Sequence, residues 1–284
     1  MTQDFTLHTH TNRFDGKNTV EEMVNAARER GMTTIGISDH FIVHRDIKKT
    51  DFYPFAVRGG YESIYNSSFV DIFEKYQPHY DEIDRISLQL HTPILRGMEV
   101  DYFHDNKWHQ AFEYAVKTLK PDYTIGACHF IEYNGKLCNV HNIANAPQPD
   151  QDKMLNLYWE KIAQAAASGL FTFMAHLDLP KKVGVGTSPE WHDTEARAID
   201  VLAQNKTPIE INTSGFSKTG APYPKTRILQ MVAAANIPVI ISDDAHHISQ
   251  IGRHFDDAER LIKSCGIENR LSLQKILDFS NKTL

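Results

Sequence analysis

Seven short apolar segments recur along the chain, each followed by an amphipathic stretch, and no other feature narrows the fold as far. The segments are DFTLHTH (4–10), TTIGISDH (33–40), TPILRGMEVDY (92–102), YTIGACHF (123–130), FTFMAHLDL (171–179), TPIEINTS (207–214) and IPVIISDDAH (237–246). Helical patterning lies between them, in TVEEMVNAARERG (19–31) and over 68–90, 106–119, 151–168, 190–205, 224–236 and 253–265. The first helix is punctuated at both ends: Thr19 is a plausible N-cap with Glu22 three residues on, and Gly31 is the stop. Strands that are apolar throughout are buried on both faces, which is the situation of parallel strands sandwiched by helices. Seven such units most simply close into a barrel. An open doubly wound sheet would normally place a Gly-rich phosphate turn after its first strand, where this chain reads HTHTNRFDG. In 284 residues there is no Pro-, Gly- or Ser-rich linker, so a single domain over 1–284 is expected.

The strand ends are polar, although apolar strands have no structural need to finish on ionisable groups. His8 and His10 end the first strand, and their spacing of two puts both imidazoles on one face of an extended chain with Thr9 on the other. His40, Glu99, His129 and His176 follow at later strand ends, then Asp244 and His246 at the last. In a parallel barrel all strand C-termini open onto one face, where barrel enzymes assemble their sites. With Asp15 these residues make nine N and O donors, more than one divalent ion accepts at a site that keeps an open position, whereas three ions sharing bridging groups accommodate them. Zn, Mn and Fe all suit mixed imidazole and carboxylate donors.

Bulk properties remove several alternatives. The net charge is −6 with both signs interspersed, so no nucleic-acid-binding surface is expected. There is no apolar run of membrane-spanning length and no leader pattern, and the three cysteines, Cys128, Cys138 and Cys265, show no CxxC spacing; both point to the cytoplasm. Two connections, 41–67 and 131–150, are long enough to be lids or binding loops. Nine further histidines, at 44, 79, 91, 104, 109, 141, 192, 247 and 254, fall in helices or loops and are read mostly as surface positions.

The set of motifs resembles the polymerase and histidinol phosphatase (PHP) family of metal-dependent phosphoesterases. The matching residues are HTH at 8–10, SDH at 38–40, GMEVD at 97–101, CH at 128–129, AHLD at 175–178 and DDAH at 243–246, in an order that spans almost the whole chain. The resemblance is strongest to stand-alone histidinol-phosphatase members, since polymerase-associated domains come joined to others. It implies a distorted, TIM-like seven-stranded (β/α) barrel with a trinuclear site: His8, His10, Glu99 and Asp244 on one ion, Glu99 bridging to a second held by His129 and His176, and Asp15, His40 and His246 on a third. Many members have His where this chain has Asp15, which makes the third position richer in oxygen. The implied activity is hydrolysis of L-histidinol phosphate, a small phosphomonoester, to L-histidinol and phosphate in histidine biosynthesis, with Glu99, Asp244 and His246 catalytic. Other phosphoesters, a nucleic-acid end among them, and amidohydrolase-type hydrolysis are the alternatives. An amidohydrolase barrel would carry its Lys or Glu on the fourth strand, where this chain has His129. Arg253, Lys181, Lys182, Ser214 and His44 are the expected substrate or phosphate contacts, with His254 a weaker one.

Overall fold

A computed structural model describes residues 3–185 and 192–283. Its framework is seven parallel strands: β1 (Phe5–Thr6), β2 (Thr34–Ile37), β3 (Ile94–Asp101), β4 (Tyr123–Ala127), β5 (Phe173–Met174), β6 (Ile209–Asn212) and β7 (Val239–Ser242), paired in sequence order. The register is continuous through Thr6↔Ile35, Ile35↔Ile94, Gly97↔Tyr123, Ile125↔Phe173, Met174↔Ile209 and Asn212↔Ser242. Between the first and last strands, a bridge from Thr9 to Ala245 nearly closes the ring. Below that bridge the Gln3 side chain completes the seam, its amide donating to the Ile241 carbonyl (2.6 Å) and accepting from the Ile241 N–H (3.0 Å).

The intervening helices are α1 (Val20–Glu29), α2 (Phe69–Leu90), α3 (Asn106–Leu119), α4 (Gln148–Ala167), α5 (His192–Asn205) and α6 (Thr226–Ala234), followed by α7 (Phe255–Cys265) and α8 (Leu273–Thr283). All seven expected strands and all seven expected helices are found, with boundaries moved by a few residues; positions 190 and 191 of the helix expected over 190–205 lie outside the described residues. The capping box at α1 is formed in both directions, Glu22 N–H to Thr19 Oγ1 at 3.2 Å and Thr19 N–H to Glu22 Oε2 at 2.8 Å. Gly31 takes the left-handed conformation that ends the helix.

Strands are shorter than the apolar runs because the chain leaves the ladder where it delivers its polar residues. β1 stops at Thr6, and His8 and His10 follow on backbone held to Ala245 on one side and to Ser38 on the other. Side chains facing one another inside the ring (Phe5, Leu7, Tyr123, Ile125, Phe173 and Ile240) fill the barrel beneath the site, and Ile276 of α8 joins them. Tyr123 occupies the space a side chain at Gly36 or Gly97 would need, and its hydroxyl donates to the Leu7 carbonyl. The larger apolar cluster lies between the sheet and its helices.

The two long connections are structured. The first holds a strand at His40–Val43, a short helix at Tyr53–Gly59 and a strand at Tyr65–Asn66; the second holds an antiparallel hairpin, Phe130–Tyr133 with Lys136–Asn139. Both reach over the C-terminal ends of the barrel strands.

Candidate metal centre

Each of the nine expected ligands arrives at one place on the strand-end face, and Glu99 is its centre. Glu99 Oε2 lies 2.8 Å from His40 Nδ1, 3.5 Å from His8 Nε2 and 3.6 Å from His10 Nε2. Its Oε1 lies 2.9 Å from His176 Nε2 and 3.7 Å from His129 Nε2. Asp244 Oδ1 is 3.4 Å from His10 Nε2, 3.7 Å from His8 Nε2 and 3.5 Å from His246 Nδ1. Asp15 Oδ2 joins the outer edge, 3.3 Å from His246 Nε2 and 3.4 Å from His40 Nε2. Asp244 reaches its position through a left-handed backbone (φ +48°), a conformation that Asp tolerates better than most residues.

Buried polar atoms normally have partners, and here several lack them: His8 Nε2, both ring nitrogens of His10, His40 Nδ1, His176 Nδ1, Asp15 Oδ1 and Glu99 Oε2. Among the described residues, the imidazole and carboxylate donors form four groups whose ligand atoms lie within 4.8 Å of one another: His10, Asp15, His40 and His246; His8, His10 and Asp244; His8, Glu99 and His176; and His40, Glu99 and His129. A set of imidazole nitrogens and carboxylate oxygens of this kind fits divalent cations, which would supply the partners the protein does not.

Electrostatics within the cluster is that of opposite charges held together. Burial alone would raise the Glu99 carboxyl, but His40, His8 and His129 outweigh it and hold its pKa well below the usual range. Burial would depress His8 and His40, yet the carboxylates of Glu210, Glu99 and Asp244 around the first, and of Asp15 and Glu99 around the second, hold both well above the usual value. Burial pushes His10 down to about 4, helped by His246 and His40.

A second layer orients the imidazoles. His8 Nδ1 is 2.8 Å from Glu210 Oε2, which fixes the ring with Nε2 toward Glu99 and Asp244. Glu210 also accepts from the His176 N–H (2.8 Å), the Asn212 amide (2.7 Å) and the Ser242 hydroxyl. Asp101 serves His129 in the same manner, accepting at Nδ1 (3.0 Å) and at its backbone N–H (2.8 Å). Sequence reading misses the role of both. The available signals are an acid inside the apolar strand PIEIN and a second acid two residues after Glu99, hence on the same face.

The cluster opens into a cavity of about 320 Å³. Its remaining walls come from the two inserts, through Phe52, Tyr61, Tyr65, Asn139 and His141, and from two cations, Lys182 and Lys218. Lys218 sits 3.8 Å from Asp244 Oδ2 and was not anticipated, although it falls one helical turn after Ser214 in the short helix Ser214–Thr219. Ser214 is buried and donates to Asp244 Oδ2 at 3.3 Å.

Other expected contacts are placed elsewhere. Arg253 donates one guanidinium nitrogen, Nη2, to the backbone carbonyls of Asp243 (2.8 Å) and Asp244 (3.4 Å), bracing that loop from outside the cavity lining. Lys181 neighbours Lys182 on a tight turn and so points away from it, donating to the Pro222 carbonyl and lying 4.4 Å over the Tyr223 ring. His44 packs on Phe103 (4.7 Å), and His254 bonds Asp257 (2.9 Å) at the surface. Conversely, two histidines read as surface positions are not: His79 is buried 2.9 Å from Asp39, and His141 lines the cavity.

A (β/α) barrel with a cluster of imidazole and carboxylate donors at its strand ends, opening into a small cavity that two lysines also line, is an architecture suited to divalent cations. A family model described as the PHP domain matches residues 5–214, and the chain belongs to that family. Among curated relatives, a Deinococcus radiodurans protein named "Probable histidinol-phosphatase" is 30% identical over 172 residues, covering 60% of this chain and 64%, just under two thirds, of its own length. A Schizosaccharomyces pombe protein of the same name is 22% identical over 295 residues, covering 94% of this chain and 89% of its own. Among solved structures, histidinol phosphate phosphatase from Lactococcus lactis, complexed with zinc, L-histidinol and phosphate, has a TM-score of 0.70 at 17% identity, covering 95% of each chain. At that identity the likeness speaks for the fold.

Proposed function

We propose that this protein is a metal-dependent phosphomonoesterase acting on L-histidinol phosphate as a single barrel unit over 1–284, with three divalent ions, drawn from Zn, Mn or Fe, as its cofactors. The observation that carries the reading is the convergence of nine N and O donors, several buried without partners, beneath a small cavity lined by lysines. The names of the curated relatives and the contents of the Lactococcus lactis complex support the choice of substrate. We propose His8, His10, Glu99 and Asp244 for the first ion, Glu99, His129 and His176 for the second, and Asp15, His40 and His246 for the third. The recurrence of Glu99 in two donor groups and of His10 in two others suits shared ligands.

Divalent ions in such a cluster supply Lewis-acid stabilisation of phosphoryl oxygens and lower the pKa of water toward neutrality. The protein's own residues do the positioning. Lys182 and Lys218 bring positive charge to the mouth of the cluster, where an ester's phosphate would enter. Asp244 is held ionised, because Lys218, His8 and the His10 hydrogen bond outweigh its burial, so it serves as a ligand and not as a proton donor. Glu210 and Asp101 keep His8 and His129 in the ring orientation the cluster requires. The inserts wall the cavity, which at about 320 Å³ suits a small ester better than a polymer end. Among the described residues no helix is long and apolar enough to cross a membrane, and the three cysteines are unpaired; we assign the protein to the cytoplasm.

The test is phosphate release from L-histidinol phosphate, other phosphomonoesters, a phosphodiester and a DNA 3′-phosphate, using protein of measured metal content before and after chelation. Histidinol phosphate should be the best substrate, and activity should vanish with the metal and return on reloading. Equal turnover of the diester or the DNA end would overturn the substrate assignment.

A further inference from the structure

The walls of the cavity differ in chemistry. Some belong to the donor cluster with Lys182 and Lys218; others come from the inserts, with Phe52 from the first and Asn139 and His141 from the second, at and just after the end of its hairpin. His141 is locked before any substrate arrives. Its Nδ1 lies 2.8 Å from Asn139 Oδ1, the same oxygen that accepts the His141 backbone N–H at 2.9 Å. An amide oxygen only accepts, so Nδ1 carries the proton and Nε2 is left as a bare acceptor. No hydrogen bond from a described residue reaches that Nε2. Phe52 stacks on the ring at 5.5 Å between centroids and 23° between planes, fixing its tilt. Burial, with Lys182 and His129 adding to it, pushes the imidazole down to about 4 and keeps it neutral.

We infer that His141 is the specificity-determining residue for the leaving alcohol, its Nε2 accepting a hydrogen bond from a ring N–H of a flat heteroaromatic group held beside Phe52. This deepens the phosphomonoesterase reading and rests on it. An acceptor fixed by its own neighbours loses no orientational freedom on binding, and one that a bound substrate closes off from water penalises any leaving group without a donor. A neutral ring also avoids the repulsion a second cation would meet from Lys182. The phenyl isostere of an imidazole, equal in flatness but without the N–H, should therefore be the poor substrate.

The experiment uses the full chain, loaded with metal, with L-histidinol phosphate and L-phenylalaninol phosphate as paired substrates. Wild type should favour the first in kcat/KM by about tenfold or more, chiefly through KM, the scale of one lost hydrogen bond. His141→Leu should bring the two within about threefold of each other, and His141→Gln, which retains an acceptor oxygen, should keep most of the preference. L-Histidinol titrated calorimetrically in the presence of phosphate should bind about tenfold more weakly to the Leu variant, with thermal unfolding confirming that both variants fold. A Leu variant that retains the wild-type preference and affinity overturns the assignment, as does a Gln variant that fares no better than a folded Leu variant. Wild type that hydrolyses both esters equally overturns the assignment of His141 alone. Wild type that hydrolyses neither overturns the phosphatase reading, and this inference with it.

Discussion

At the scale of single residues, the charge balance of the site depends on groups that stand behind the proposed ligands. Glu210 is fully buried, and although burial opposes its ionisation, His8 and the surrounding donors hold its carboxyl below the usual value. Glu210→Gln would remove the charge that sets the His8 tautomer and leave the barrel otherwise intact. Metal affinity should fall by about 10–100-fold, the usual effect of losing such a partner, when measured by competition with a chromogenic chelator. Unchanged affinity would show that His8 needs no such support. A pH effect follows from His141, whose pKa falls from an ordinary 6.5 to about 4. Between those values the unfolded chain binds the proton and the folded one does not, so stability declines as pH falls from about 6.5 to about 4. His141→Gln should flatten that part of the decline in urea denaturation series across the window; parallel curves for the two proteins would contradict it. That His8 and His10 share a face was legible because a period-2 spacing at a strand end has an unambiguous geometry. Arg253 was expected at the phosphate, but position after a strand does not say which of two faces a long side chain takes, and here backbone carbonyls occupy one of its guanidinium nitrogens.

At the scale of elements, strands and helices followed the apolar pattern closely, and the departures have local causes. Strand ends fall short of the apolar runs where the chain turns to present His8, His129 and His176. The long connections were expected from length alone to be lids or binding loops, but their internal strands and hairpin depend on contacts across 41–67 and 130–139 that periodicity does not record. Inside the ring, packing leaves no slack at Gly97, because Tyr123 stands where a Cβ would go. Gly97→Ala should destabilise the fold by about 1–3 kcal/mol, as overpacking of a full core does, in equilibrium urea unfolding. A neutral substitution would mean that Tyr123 can move aside without loss.

At the scale of the whole molecule, closure of the ring is the decisive step, since the first and last strands bring His8 and His10 against Asp244 and His246. That seam is thinly built. β1 is two residues long, one bridge joins Thr9 to Ala245, and the Gln3 side chain stands in for backbone at Ile241. Gln3→Ala removes three hydrogen bonds of about 1 kcal/mol each, two to Ile241 and one to the Phe5 carbonyl, so global stability should drop by about 1–3 kcal/mol and exchange of the Ile241 amide should accelerate. Hydrogen exchange at Ile241 indistinguishable from wild type would assign closure to the Thr9 bridge alone.

By itself the sequence determined the class of fold and which polar residues gather at the strand ends, because apolar periodicity and strand-end position are local properties that survive projection onto one dimension. Tertiary structure decided which carboxylates stand behind the imidazoles, which lysine faces the cavity and which does not, and that His141 belongs to the site and not to the surface. Those outcomes turn on the direction of individual side chains and on contacts between segments separated by up to about 200 residues, as in the pair of His8 and Glu210. Neither is encoded in the spacing of neighbours along the chain.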